Sequence, residues 1–242
     1  MSEIKPLRER IPPIKDILDK AIDIILKRYK ATTLSELSKR GLNASKIAIL
    51  MEKLAESIYR EEERKAVKSY LIDKGLKAEE VDKFVEIILH RKNFTRSISN
   101  IRRSRAGRTS EEIIMRILRA YGIPCERGKR IKGYRPDLVV PDNETLLSNP
   151  EKSVPIAIKR TLRERWAEDI DIFNFPNGKF ILLTPDPDFN ENKARDMVQR
   201  GMKEVYIPDE LYEASHFLKN YPQFKKFSQL FLELKKKLGK NI

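Results

Sequence analysis

The chain is short of the residues on which several kinds of site depend. Of its 242 residues one is cysteine, Cys125, and two are histidine, His90 and His216, far apart along the sequence. A disulfide framework is excluded, and a Cys/His zinc site or a Cys-His nucleophile pair lacks parts. Any catalytic metal has to rest on oxygen ligands. Long apolar runs are missing too: the longest clean one, residues 47–51, is far below the roughly 20 residues that span a bilayer. The N-terminus, MSEIKPLRERIPPIK, has no apolar segment of a secretion signal, so a cytoplasmic, reducing compartment and no membrane are expected. Glutamine occurs three times, and the bias towards Lys, Glu and Arg fits a thermophilic source.

What is plentiful is positive charge. Lys and Arg number 50 against 36 Asp and Glu, a formal charge of +14. Such an excess points to a polyanionic partner, and with the membrane set aside that partner is nucleic acid.

The first hundred residues read as helices. Pro12 and Pro13 open a segment whose apolar positions, from Ile14 to Tyr29, recur at helical spacing. Thr33 and Glu36 have the spacing of a capping box for a short helix, and Asn43 caps a long one running towards Lys74. A further helix is predicted over 78–90. The short helix followed by the long one is also open to a reading as a helix-turn-helix, the mark of a non-catalytic DNA-binding regulator.

From about residue 94 the character changes. FTRSISNIRRSRAGR is rich in arginine and almost without apolar periodicity, and it reads as a basic connector crossing an anionic surface. Thr109 and Glu112 then have capping-box spacing for a helix whose face is Ile113, Ile114, Ile117, Leu118 and Tyr121. Strands are predicted over 123–128, 137–140, 154–159, 180–184 and 204–207. Helices fall near 162–172 and 190–200, and two more close the chain. This order is α/β: a mixed β-sheet flanked by helices, with a helical N-terminal region. Residues 1–95 form that region and 96–242 the α/β part, together one compact unit.

Two strands carry chemistry. In YRPDLVVP, Asp137 starts a strand immediately after Pro136; in VPIAIKR, Lys159 ends the next one. If the intervening loop makes these strands antiparallel neighbours, Asp137 and Lys159 meet at one edge of the sheet. A carboxylate that holds a divalent cation beside an ammonium that acts on a water is a pairing suited to phosphodiester hydrolysis, and Mg²⁺ suits an oxygen-only site. On spacing alone, a surface ion pair explains the same two residues.

The order PD, AIK, RTLRERW, preceded by RRSRAGRTSEE over residues 102–112, closely resembles the PD-(D/E)xK type II restriction endonucleases of the EcoRII, SsoII and PspGI group. The likeness covers roughly residues 98–172, and the composition is similar to that of the PspGI branch. It implies a restriction-endonuclease-like fold and Mg²⁺-dependent cleavage of double-stranded DNA by a homodimer. Asp137 is implied as the metal-binding aspartate and Lys159 as the motif lysine. Ala157 stands where the wider superfamily has Asp or Glu, so it can offer the metal only its backbone carbonyl. The group's helix Glu, thirteen residues after the lysine, is replaced here by Ile172. Glu168, one helical turn earlier, is the preferred substitute, with Asp169 and Asp171 as alternatives. Glu111 resembles an additional active-site acid, while Glu112 is left to the capping box.

Arg163, Glu164 and Arg165 are chemically suited to reading G·C pairs, an Arg holding guanine O6 and N7 and a Glu accepting from cytosine N4. The resemblance implies that the triplet reads the halves of a CC/GG palindrome of CCWGG or CCNGG type. Arg102, Arg103 and Arg105 are expected on phosphates, and Asn100 on a base edge. Trp166 is expected to pack rather than stack on a base. Some members of the group flip central bases into aromatic or Arg-lined pockets, for which Tyr59, Arg60 and Tyr70 are candidates that no motif singles out. Within the nuclease class, a junction or repair enzyme shares the fold and the Asp/Lys chemistry.

Overall fold

The computed structural model describes residues 5–90, 95–131, 133–160, 166–183 and 189–239, with side chains other than those of 86, 90, 95–101 and 103. In chain order the helices are α1 (Leu7–Arg10), α2 (Ile14–Tyr29), α3 (Glu36–Lys39), α4 (Ala44–Asp73), α5 (Ala78–His90) and α6 (Thr95–Ala120). There follow β1 (Glu126–Arg127), β2 (Leu138–Val140), α7 (Asn143–Ser148), β3 (Val154–Lys159), a 3₁₀ segment Trp166–Asn174 and β4 (Lys179–Leu182). The chain closes with α8 (Glu191–Gln199), β5 (Val205–Ile207), α9 (Asp209–Ala214), a 3₁₀ turn His216–Asn220, β6 (Phe224–Lys226) and α10 (Phe227–Lys237).

Local chemistry sets several boundaries. The Asn43 side chain accepts from Lys46 N–H at 2.9 Å and opens α4; Asp142 does the same for α7 through Thr145 N–H at 2.7 Å, and Asn190 for α8 through Lys193 N–H at 3.1 Å. The predicted connector after residue 94 is helical instead. α6 runs from Thr95 without a break through Thr109, so no cap forms there, and Glu112 binds arginines rather than closing a capping box. The predicted short helix is α3, a single turn and too short for the first helix of a helix-turn-helix; unlike the expectation, residues 166–174 are a 3₁₀ segment rather than an α-helix.

The chain divides into two compact units. One comprises residues 1–25 and 51–109 and is helical. Val67, Val81, Val85 and Ile88 form an apolar cluster in it, joined by Leu7, Leu71, Leu76 and Leu89. Arg10 reaches Asp73 and Ser69 in the same unit, both at 2.6 Å.

The other unit, residues 26–50 and 110–242, holds the sheet. Among the described residues its six strands lie in sequence order, β1-β2-β3 antiparallel and β3 to β6 parallel. The parallel stretch needs crossovers, supplied by the 3₁₀ segment, by α8, and by α9 with its 3₁₀ turn. β4 is buried at all four positions, as a parallel strand covered on both faces should be. One face carries Ala157, Phe180, Leu182, Val205 and Phe224, packed with Ile172, Phe173, Ala194 and Met197. On the other lies Tyr206, whose hydroxyl reaches Glu233 of α10 at 2.5 Å. No described helix is long and apolar enough to cross a membrane.

Candidate active site

β2 and β3 are antiparallel neighbours, with Leu138 opposite Ile156, and this brings Asp137 against the end of β3. The Asp137 backbone N–H donates to Ile156 O at 2.9 Å, and its carboxylate accepts from Ile158 N–H at 2.6 Å. One residue further, Lys159 ends the strand, its carbonyl accepting from Leu183 N–H at 2.9 Å. Lys159 extends its ammonium to Asp169 of the 3₁₀ segment, 2.6 Å from Oδ2.

Asp169 rather than Glu168 therefore meets the lysine, and the reason is helical pitch. In an α-helix the residue one turn before Ile172 on the same face is Glu168; in a 3₁₀ helix, with three residues per turn, it is Asp169. Ile172 itself is fully buried among the apolar side chains of the sheet, whereas Glu168 is exposed. The segment is held against the sheet at a point of close approach. A Cβ on Gly178 would lie 1.9 Å from Ile172 O, a distance no side chain survives.

The second oxygen of Asp169, Oδ1, accepts from the Tyr134 hydroxyl at 3.2 Å. Tyr134 is fixed from behind. Its N–H and C=O both bond to Ile131, at 3.1 and 2.8 Å, across a turn in which Gly133 takes φ +87°, and its ring packs near Phe175. Burial beside carboxylates raises the phenol well above its ordinary range, so it remains a donor.

Electrostatically the site is overloaded with negative charge. Withdrawal from water pushes Asp137 up to about 7; Glu111 and Asp169 push the same way, while the Ile158 N–H and the Lys159 charge pull down. Glu111, on α6, is gripped by Arg127 of β1, which also reaches Glu112 at 3.0 Å. Glu112 in turn accepts from Arg116 at 3.1 Å.

These groups fit a hard divalent cation. All the donors are oxygens, and Asp169 Oδ2 is buried without an aligned hydrogen bond, facing the Lys159 ammonium. No group of three acidic, His or Cys side chains close enough to cage a metal occurs among the described residues. Ala157 contributes no side chain; its methyl is fully buried in the core.

The remaining expected residues divide. Arg163, Glu164 and Arg165 lie outside the described residues, and Asn100 and Arg103 are placed only as backbone of α6. Arg102 and Arg105 are engaged within the helical unit. Arg102 pairs with buried Glu63 at 2.6 Å; Arg105 donates to Pro12 O and lies 5.1 Å over the Tyr59 ring. Arg60 pairs with Glu56, and Tyr70 lies under Arg10 and Lys74. Trp166 packs in the core with the Arg200 guanidinium 5.6 Å over its ring. Sequence reading had no hold on Tyr134 and Arg127, whose partners are remote in the chain. The signal for Tyr134 was its place in YRPD, three residues before the aspartate.

Residues 38–228 match the family model described as EcoRII C terminal. Among solved structures, the complex of restriction endonuclease PspGI with substrate DNA is 25% identical with a TM-score of 0.70, over 98% of this chain and 97% of that one. Metal-depleted Ecl18kI with uncleaved DNA shares the fold at 23% identity and a TM-score of 0.69, over 95% and 80%. Its complex with uncleaved, modified DNA does so at 20% and 0.69, over 97% and 82%. No curated protein sequence is similar enough to count as a match.

Proposed function

Because the chain belongs to the EcoRII C-terminal family of type II restriction endonucleases, we propose that it cuts both strands of a short palindromic CC/GG site in double-stranded DNA with Mg²⁺. The observation that carries this reading is the meeting of Asp137, Lys159 and Asp169 at one end of β2 and β3. Asp137 and Asp169 would hold the cation, and Glu111 would add negative charge near Asp137. Glu168, being exposed, is not needed in this set.

A bound Mg²⁺ supplies positive charge against the scissile phosphate and lowers the pKa of a water. Lys159 does the protein's share. Its side chain is 29% exposed at the end of β3, and the ammonium would orient the attacking water and offset charge that develops on the phosphoryl oxygens. Buried Asp137, fixed by Ile158 N–H, keeps one orientation while this happens.

Sequence reading is assigned to Arg163, Glu164 and Arg165, by bidentate contact with guanine and acceptance from cytosine. Arg103 and Asn100 remain assigned to phosphate and base contacts. A palindrome presents its half-site twice and two cuts need two sites, so the active form is a homodimer. Digestion of plasmid DNA with Mg²⁺, followed by sequencing of the ends, tests all of this. Discrete fragments ending at a CC/GG site, absent with Asp137→Ala and Lys159→Ala, are expected. Preference for branched or damaged DNA over such a duplex would move the reading to a junction or repair nuclease.

A further inference from the structure

Asp169 is held by two groups of different character. Lys159 offers charge to Oδ2 at 2.6 Å, but that oxygen, though buried, has no aligned hydrogen bond, so the ion pair does not fix which way the carboxylate turns. The aligned bond is the one to Oδ1, from the Tyr134 hydroxyl at 3.2 Å. Tyr134 can act as a fixed post because its backbone is pinned by two hydrogen bonds to Ile131 and its ring sits against the core beside Phe175. By contrast, Asp169 sits on a nine-residue 3₁₀ segment, a geometry with poorer backbone hydrogen bonds than an α-helix and rarely kept for so long. An acid supplied from such a segment needs an outside partner to hold its angle.

We propose that Tyr134 is a positioning residue for the cleavage reaction: its phenol holds Asp169 so that Oδ2 stays turned towards Lys159 and the cation. The inference rests on the reading of Asp137 and Asp169 as the acids that hold the metal. Partners that orient metal-binding side chains commonly change metal affinity or activity by about 10- to 100-fold when removed.

The test uses the full chain and Mn²⁺ as the probe, with bound ion measured from the loss of the free-ion paramagnetic resonance signal. Tyr134→Phe keeps the ring and removes the hydroxyl. Its Mn²⁺ dissociation constant should rise about 10- to 100-fold, and the Mg²⁺ concentration for half-maximal cleavage should rise in step, with the melting temperature nearly unchanged. In an Asp169→Ala background the same change should have almost no further effect, because the phenol would have no acceptor left to orient. Wild-type Mn²⁺ affinity in Tyr134→Phe overturns the proposal. So does an equal loss in both backgrounds, or loss of the folded state, which would assign the hydroxyl to stability. Undiminished Mn²⁺ binding in Asp137→Ala would instead overturn the metal site itself.

Discussion

Two buried carboxylates, one in each unit, show what separates a structural charge from a functional one. Glu63, in the helical unit, has a side chain 2% exposed. Arg102 Nε lies 3.0 Å from both its oxygens, Arg102 Nη2 is 2.6 Å from Oε2, and the Tyr59 hydroxyl donates to Oε1 at 2.9 Å. Asp137, in the sheet unit, has one N–H donor at 2.6 Å, two acids nearby and a lysine that leans on one of those acids instead. Both charges have left water, and among the described residues only the first is compensated where it sits. Burial alone does not distinguish them. The unfilled demand for positive charge does, and under the proposed function it is where a cation or a substrate group would bind.

The sharpest way to break this contrast is by activity. Asp137→Ala and Lys159→Ala should each slow plasmid cleavage by at least about a thousandfold, or ~4 kcal/mol of barrier. Glu63→Gln should leave the cleavage rate per folded molecule close to wild type, and loss of cutting by the folded variant would refute the division.

Stability should respond the opposite way. Glu63→Gln unpairs Arg102 and should cost about 3 kcal/mol in denaturant melts. Asp137→Asn should stabilise the metal-free protein at pH 8 by about 2–4 kcal/mol. The sign follows from the raised value: relative to an ordinary 3.8, a folded value near 7 means that folding favours the protonated acid. That contribution is complete below about pH 4 and lost as pH rises through 7. Wild type should therefore weaken over this window while Asp137→Asn does not, and parallel pH curves for the two would count against the assignment.

A smaller effect separates adjacent residues. Asp169→Asn should raise the Mg²⁺ requirement about 10- to 100-fold, and Glu168→Gln by less than about twofold. The smallest concerns exposed pairs such as Glu191 with Arg195, where Arg195→Ala should change stability by no more than about 0.5 kcal/mol.

Much of the sheet could be read from residues alone. Asn190 announces a helix start, and the runs LVV and VPIAIK are apolar enough to be central strands; the stretch between them, read as a loop, holds α7, and the antiparallel pairing expected on the condition of that loop brings Asp137 to the end of β3. The arginine-rich start of α6 was not legible as a helix, because the partners of its described arginines, Glu63 for Arg102 and Pro12 for Arg105, are remote in sequence. β6 was hidden as well: Phe224–Lys226 runs directly into α10 and has no alternation of its own. At the site, Asp137 and Lys159 stand out by motif, while the acid that meets the lysine is Asp169, one residue after the expected Glu168, because the segment has 3₁₀ and not α-helical pitch. Pitch over nine residues depends on what the segment packs against, and Ile172 and Phe173 take their places from the sheet.

The close approach at Gly178 extends the list of indispensable positions beyond anything that touches DNA or metal. Even a methyl group there displaces the backbone beneath Ile172, and with it the turn that presents Asp169. In a selection that scores every single substitution for the ability to restrict incoming DNA, position 178 should be as intolerant as position 137. The two would fail differently: one as a folded protein without its acid, the other as a protein whose acid is intact and out of reach.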